Sequence, residues 1–235
     1  MKRTLLCLLL AAAPAQAAIH QREFSIPQVP AVGSLRYGIS VPDGDTRQPH
    51  PLVLALHPGG DRPAFYGSMY LARLFLPALQ QLDAIIVAPD CPTRAWTDAD
   101  AEQAVMALLQ SVLNDYPIDR QRILVIGYSL GGRGTWFMAA RHPDFFTAAI
   151  PIAGSTDGQP LERLGRIPTY VIHSRSDEVV PPGPDEHAVA ELGKLGRPVV
   201  IDIVDGGGHF DTSSYMPALI RAVKWVDKRW KGAAR

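Results

Sequence analysis

The chain has 235 residues, with 23 basic and 23 acidic side chains, so its formal net charge is zero. It carries no basic stripe or Lys/Arg cluster, which argues against nucleic acid as a partner. It has neither an H-E-x-x-H segment nor paired cysteines of metal-site spacing, so the sequence points to no metal and no cofactor.

The first element is not part of a fold. Lys2 and Arg3 form a basic start, residues 4–13 are apolar, and Ala15-Gln16-Ala17 is a small-x-small cleavage site. These are the three regions of a secretory signal peptide, and the apolar run is too short to span a bilayer. Cleavage after Ala17 or Ala18 is expected, giving an exported protein, secreted or periplasmic. Cys7 lies inside the leader, so the mature chain keeps only Cys91 and cannot form an internal disulfide. It must be held together by its core. No later segment is long and apolar enough to cross a membrane, and the remainder, residues 18–235, is of a size for one domain.

Residues 22–26 and 35–41 read as early strands, followed by a turn at Pro42-Asp43-Gly44-Asp45. Apolar and amphipathic runs then alternate. Strands are predicted over 52–56, 84–88, 122–126, 148–152, 169–172 and 199–204. Helices are predicted over 66–81, where Pro77 would kink or end the run, and over 98–115, 130–141, 185–195 and 214–230. The inner strands are unbroken Val/Ile/Leu runs, which marks strands covered on both faces. The expected architecture is α/β, a mostly parallel sheet between helix layers. In such sheets ligands bind beyond the carboxyl ends of the strands.

The strand at 122–126 runs into Gly127-Tyr128-Ser129-Leu130-Gly131 and then into a helix. This is the G-x-S-x-G pattern in the strand-turn-helix setting of a nucleophile elbow. So tight a turn needs neighbours with almost no side chain, and Gly127 and Gly131 meet that need. The turn would lift the Ser129 hydroxyl clear of the sheet, next to the first amides of the helix.

A serine hydroxyl is a poor nucleophile at neutral pH and requires a base. His209 lies on the loop after 199–204, and Gly206, Gly207 and Gly208 give that loop freedom to fold inward. Asp177 lies on the loop after 169–172 and would orient the imidazole, with Glu178 and Asp157 as alternatives. The other histidines lack such a position. His173, for instance, ends a strand and is expected to pack. The order Ser129, Asp177, His209 is that of α/β-hydrolase triads. The Leu130 amide is one expected oxyanion donor. The second is expected from Gly59 or Gly60, after the strand at 52–56. His57 is expected to brace that turn. Trp96 could line the cleft, with helix-cap packing as the alternative. Tyr128, Asp61 and Phe210 are further candidate substrate contacts.

These motifs resemble those of α/β-hydrolase serine esterases, in particular the secreted group of feruloyl esterases, acetyl-xylan esterases and polyhydroxybutyrate depolymerase-like enzymes. The likeness runs from about Leu52 onward. Besides the elbow it rests on Leu56-His57-Pro58-Gly59-Gly60, Asp119-Arg120-Gln121-Arg122-Ile123, His142-Pro143-Asp144-Phe145-Phe146, Ile150-Pro151-Ile152-Ala153-Gly154 and Asp177-Glu178-Val179-Val180-Pro181. It implies an α/β-hydrolase fold, the triad Ser129, Asp177 and His209, and a small or polymer-attached ester as substrate. Where the family often has His-Gly-Gly, this chain has His57-Pro58-Gly59-Gly60. Pro58 has no N–H, so the donor must come later. The short connection from Ile152 to Thr169 argues against a lipase with a long apolar lid. A peptidase or acyltransferase using the same residues, and a non-catalytic binding module on this fold, are the rival readings.

Overall fold

The computed structural model describes residues 18–43, 47–156 and 158–233. The expected signal peptide, part of the turn at 42–45 and the alternative acid Asp157 lie outside these residues.

Eight strands form one sheet: β1 (Ile19–Ile26), β2 (Gly33–Ser40), β3 (His50–Leu56), β4 (Ile85–Pro89), β5 (Ile118–Tyr128), β6 (Ala148–Ile152), β7 (Thr169–Ser174) and β8 (Val199–Val204). Their order is β1-β2-β4-β3-β5-β6-β7-β8. β1 and β2 pair antiparallel, as do β2 and β4, and every pairing from β4 through β8 is parallel. Alternate side chains of β3 serve two separate cores. Leu52, Leu54 and Leu56 pack in the layer of α3 (Ala99–Asp115), α4 (Leu130–Arg141) and α5 (Gly183–Lys194). Val53 and Ala55 face the layer of α1 (Tyr66–Tyr70), α2 (Leu76–Leu79) and α6 (Met216–Ala233). Burial on both faces is why the inner strands are apolar without alternation.

Two elements depart from the sequence reading. The helix expected over 66–81 is broken: a π-helical turn, Leu71–Phe75, separates α1 from α2. There the Leu76 N–H donates to the Leu71 carbonyl five residues back. Pro77 then falls in the first turn of α2, directly after the widened turn. β5 is longer than expected and starts at Ile118. Its first part is polar and reaches the sheet's lower rim, where Arg122 donates to Asp119 at 2.6 Å. An exposed strand end carries no apolar signal.

The central parallel strands deliver β5, β7 and β8 to the same rim. Their carboxyl ends carry Ser129, Asp177 and His209 on adjoining loops.

Candidate active site

Ser129 stands between β5 and α4 at φ 57°, ψ −117°, a conformation that L residues rarely adopt. Its N–H donates to the Ile152 carbonyl at 2.8 Å, which fixes the apex against β6. The glycines around it are forced by backbone proximity. A Cβ on Gly127 would collide with the Gly131 carbonyl, and one on Gly131 with the Leu56 carbonyl. One on Gly132 would approach the Ile152 carbonyl to 2.5 Å. The elbow is thus squeezed between β3 and β6, and only glycine fits.

Ser129 Oγ lies 2.8 Å from His209 Nε2, and His209 Nδ1 lies 2.7 Å from Asp177 Oδ2. The other Asp177 oxygen accepts the Val179 N–H at 3.0 Å and the Val180 N–H at 2.7 Å. Burial works against ionisation of Asp177. The His209 hydrogen bond and the two amides outweigh it and hold the carboxyl below its usual range. With the carboxylate facing Nδ1, the proton sits on Nδ1 and Nε2 is left to accept from the hydroxyl.

His209 is gripped by its backbone as well. Its N–H donates to Glu178 Oε2 at 2.9 Å, and its carbonyl accepts the Tyr128 hydroxyl. The Tyr128 ring lies under the imidazole, 5.4 Å between centroids and 28° between planes. Gly206 and Gly207, both at positive φ, turn the loop inward. Glu178 therefore holds the backbone of the loop, and Asp177 is the carboxylate that meets the ring.

Beside Ser129 opens a cavity of about 420 Å³, lined among others by Gly59, Leu130, Val180, Pro181 and Pro184. Gly59 and Leu130 lie side by side on its wall: a Cβ on Gly59 would come 3.7 Å from the Leu130 side chain. Leu130 opens α4, where the first amides have no carbonyl of their own helix to bond. Gly60 sits at φ +101° and shapes the turn. Below it His57 is fully buried. Its Nδ1–H donates to the Pro58 carbonyl at 2.6 Å, and its Nε2 accepts the Cys91 N–H at 2.9 Å. Burial pushes its pKa down to about 4, so it braces the turn as a neutral ring.

Two candidate substrate contacts need correction. Trp96 is 2% exposed and packs beneath the elbow against Gly134. Its indole N–H donates to the His57 carbonyl at 3.0 Å, so it supports the Gly59 turn from inside instead of lining the cleft. Tyr128 is equally buried and points under His209, away from the cavity, because strand alternation turns it to the opposite face from Ser129's loop. Asp61 and Phe210 are exposed. Phe210 is 77% exposed and meets the His209 ring edge-on, with centroids 5.2 Å apart. Neither is among the residues lining the cavity. The sequence reading missed the contribution of Val179, whose side chain lines the cavity while its amide holds Asp177. It also missed the backbone grip of Glu178 and Tyr128. Nothing in residue type marks these roles.

Sheet, elbow and rim define a class, the α/β-hydrolase fold. The prolyl oligopeptidase family model matches residues 93–162, which include the elbow. The chain has a TM-score of 0.75 to a thermostable esterase of 27% identity, covering 89% of this chain and 62% of that one. It has a TM-score of 0.72 to a fluorophosphonate-binding serine hydrolase of Staphylococcus aureus, 14% identical, covering 89% of this chain and 98% of that one. Within the fold the chain is similar to feruloyl-esterase-like proteins. Feruloyl esterase C of Emericella nidulans is 27% identical over 161 residues, covering 64% of this chain and 57% of that protein. The chain thus spans somewhat over half the length of the curated relatives it matches. Among the described residues no helix is long and apolar enough to cross a membrane.

Proposed function

We propose that the protein is an exported serine esterase, with a leader at 1–17 and a single hydrolase domain over 18–235. The observation that carries the reading is the relay of hydrogen-bond distances, 2.8 Å from Ser129 to His209 and 2.7 Å from His209 to Asp177, at the mouth of a cavity. His209 takes the Ser129 proton as Oγ attacks the ester carbonyl, and Asp177 stabilises the imidazolium. The Leu130 and Gly59 amides receive the oxyanion; Gly59 is favoured over Gly60 because it lines the cavity beside Leu130. Such a donor is worth about 3 kcal/mol of barrier. His209 then protonates the leaving alkoxide. Water, activated in turn by His209, frees the acid and restores Ser129. The mostly apolar walls suit a small or polymer-attached ester presenting an apolar half to Val179, Val180 and Pro181.

The prolyl oligopeptidase match over 93–162 favours one second reading, a serine peptidase with the same residues. Nitrophenyl esters of acetyl, butyryl and feruloyl acids, compared with peptide amides, separate the two. The esterase reading expects ester turnover that disappears in Ser129→Ala and no measurable turnover of peptide amides. Amide turnover that is lost in Ser129→Ala would replace it with the peptidase reading.

A further inference from the structure

Behind Asp177 a second imidazole is enclosed. His173, the penultimate residue of β7, is fully buried. Its Nδ1 lies 2.8 Å from Asp185 Oδ2. Its Nε2 lies 2.8 Å from the Val180 carbonyl and 3.4 Å from Asp177 Oδ2. The carbonyl has no proton to give, so Nε2 must carry one. Asp185, on α5, is fully buried too, and its other oxygen accepts the Trp136 indole N–H from α4 at 3.0 Å. Burial raises the Asp185 carboxyl above its usual range despite the His173 and Trp136 hydrogen bonds; the Trp136 N–H on one oxygen and the ring on the other favour the second proton on Nδ1. The titratable groups facing His173 are therefore two carboxyls, Asp185 from α5 and Asp177 from the loop after β7. Burial opposes charge on this ring, but the Asp185 partner outweighs it and its pKa lies above the ordinary histidine range.

We infer that His173 is a positioning residue for Asp177, an imidazolium enclosed by Asp185 and the Val180 carbonyl that fixes both the place and the charge of the carboxylate behind His209. The inference rests on the serine hydrolase reading. Two physical links carry it. Val180 is held twice, its carbonyl by His173 and its N–H by Asp177, so the ring sets the loop that cradles the carboxylate. Asp177 Oδ2 faces two imidazoles, at 2.7 Å for His209 and 3.4 Å for His173. A buried cation there stabilises the ionised acid and, through it, offsets part of the pull that Asp177 exerts on a proton at His209.

A residue that merely filled space would change stability and leave the pH profile alone. In His173→Gln the acid limb of kcat/KM on a nitrophenyl ester is expected to move to higher pH by about half a unit, because the offsetting cation is gone. kcat is expected to fall about tenfold with KM within about twofold. A folded variant whose acid limb stays at the wild-type position overturns the inference. Should the variant not fold, nitrogen NMR of the wild-type imidazoles decides. Two protonated ring nitrogens at His173 at neutral pH are expected, and one bare nitrogen there refutes the imidazolium. Fluorophosphonate treatment of the wild type separates this from failure of the underlying reading. A wild type that neither labels nor hydrolyses esters removes the hydrolase itself. A labelled, active wild type with an unmoved limb in the variant removes only the role of His173.

Discussion

Two Asp–His pairs stand side by side at the end of β7, built from the same residue types at nearly the same spacing: Asp177 to His209 at 2.7 Å and Asp185 to His173 at 2.8 Å. They differ in what the far ring nitrogen meets. For His209 it is the Ser129 hydroxyl, which can give up a proton, beside a cavity. For His173 it is the Val180 carbonyl, which cannot, inside the core. On the proposed reading one pair moves a proton and the other keeps one. An Asp–His contact alone therefore says nothing about chemistry; the third partner and access to a substrate decide.

The largest effect that sharpens this contrast is expected from His209→Ala, with a loss in kcat on the order of 10⁶, measured on a nitrophenyl ester with the fold checked by circular dichroism. Retained turnover would remove His209 from the mechanism. Asp177→Asn keeps the shape and removes the charge, and a loss on the order of 10⁴ in kcat is expected. Unchanged turnover would mean that a different carboxylate serves His209.

Next in size is a pH effect on stability from His57. Its folded pKa is near 4 against an ordinary 6.5, so the unfolded chain binds that proton first as the pH falls. The neutral ring contributes stability above pH 6.5 that is lost as pH drops towards 4, up to about 3 kcal/mol. Urea midpoints across this window should fall with pH in the wild type and stay flatter in His57→Gln; equal slopes would contradict the burial argument. His173 has the opposite sign. Its raised pKa gives stability present below the ordinary histidine value and lost as pH rises through the raised one. The smallest effect is expected from Tyr128→Phe, which removes the hydroxyl from the His209 carbonyl. A several-fold drop in kcat and about 1 kcal/mol less stability are expected, from kinetics and urea titration.

The same contrast shows what was legible in the residues. The inner strand β6 was readable to its ends, because burial on both faces leaves an unbroken apolar run; β8, a half-buried edge strand, was readable from the Val and Ile residues on either side of Asp202. The start of β5 was not, since its half-buried Asp119 and exposed Arg120 and Gln121 look like a loop. The break at Leu71–Phe75 was signalled only by Pro77, and a proline does not reveal that the chain will widen into a π turn before it. Ser129, Asp177 and His209 could be placed on loops after strands from the pattern of runs and glycines. Which way Trp96 and Tyr128 point could not, because both lie close in sequence to the rim yet turn into the core. Nor does sequence separate the two Asp–His pairs. Asp185 sits in a helix and its partner twelve residues earlier in a strand, so only the folded packing of α5 on β7 joins them.

The central claim is that Ser129 is the one hydroxyl made nucleophilic by this arrangement. Intact-mass and peptide mapping after treatment with a fluorophosphonate test it most directly. One adduct per chain, on the peptide carrying Ser129 and absent from both Ser129→Ala and His209→Ala, is the predicted result. No adduct on the folded wild type, or an adduct that persists in Ser129→Ala, would contradict it.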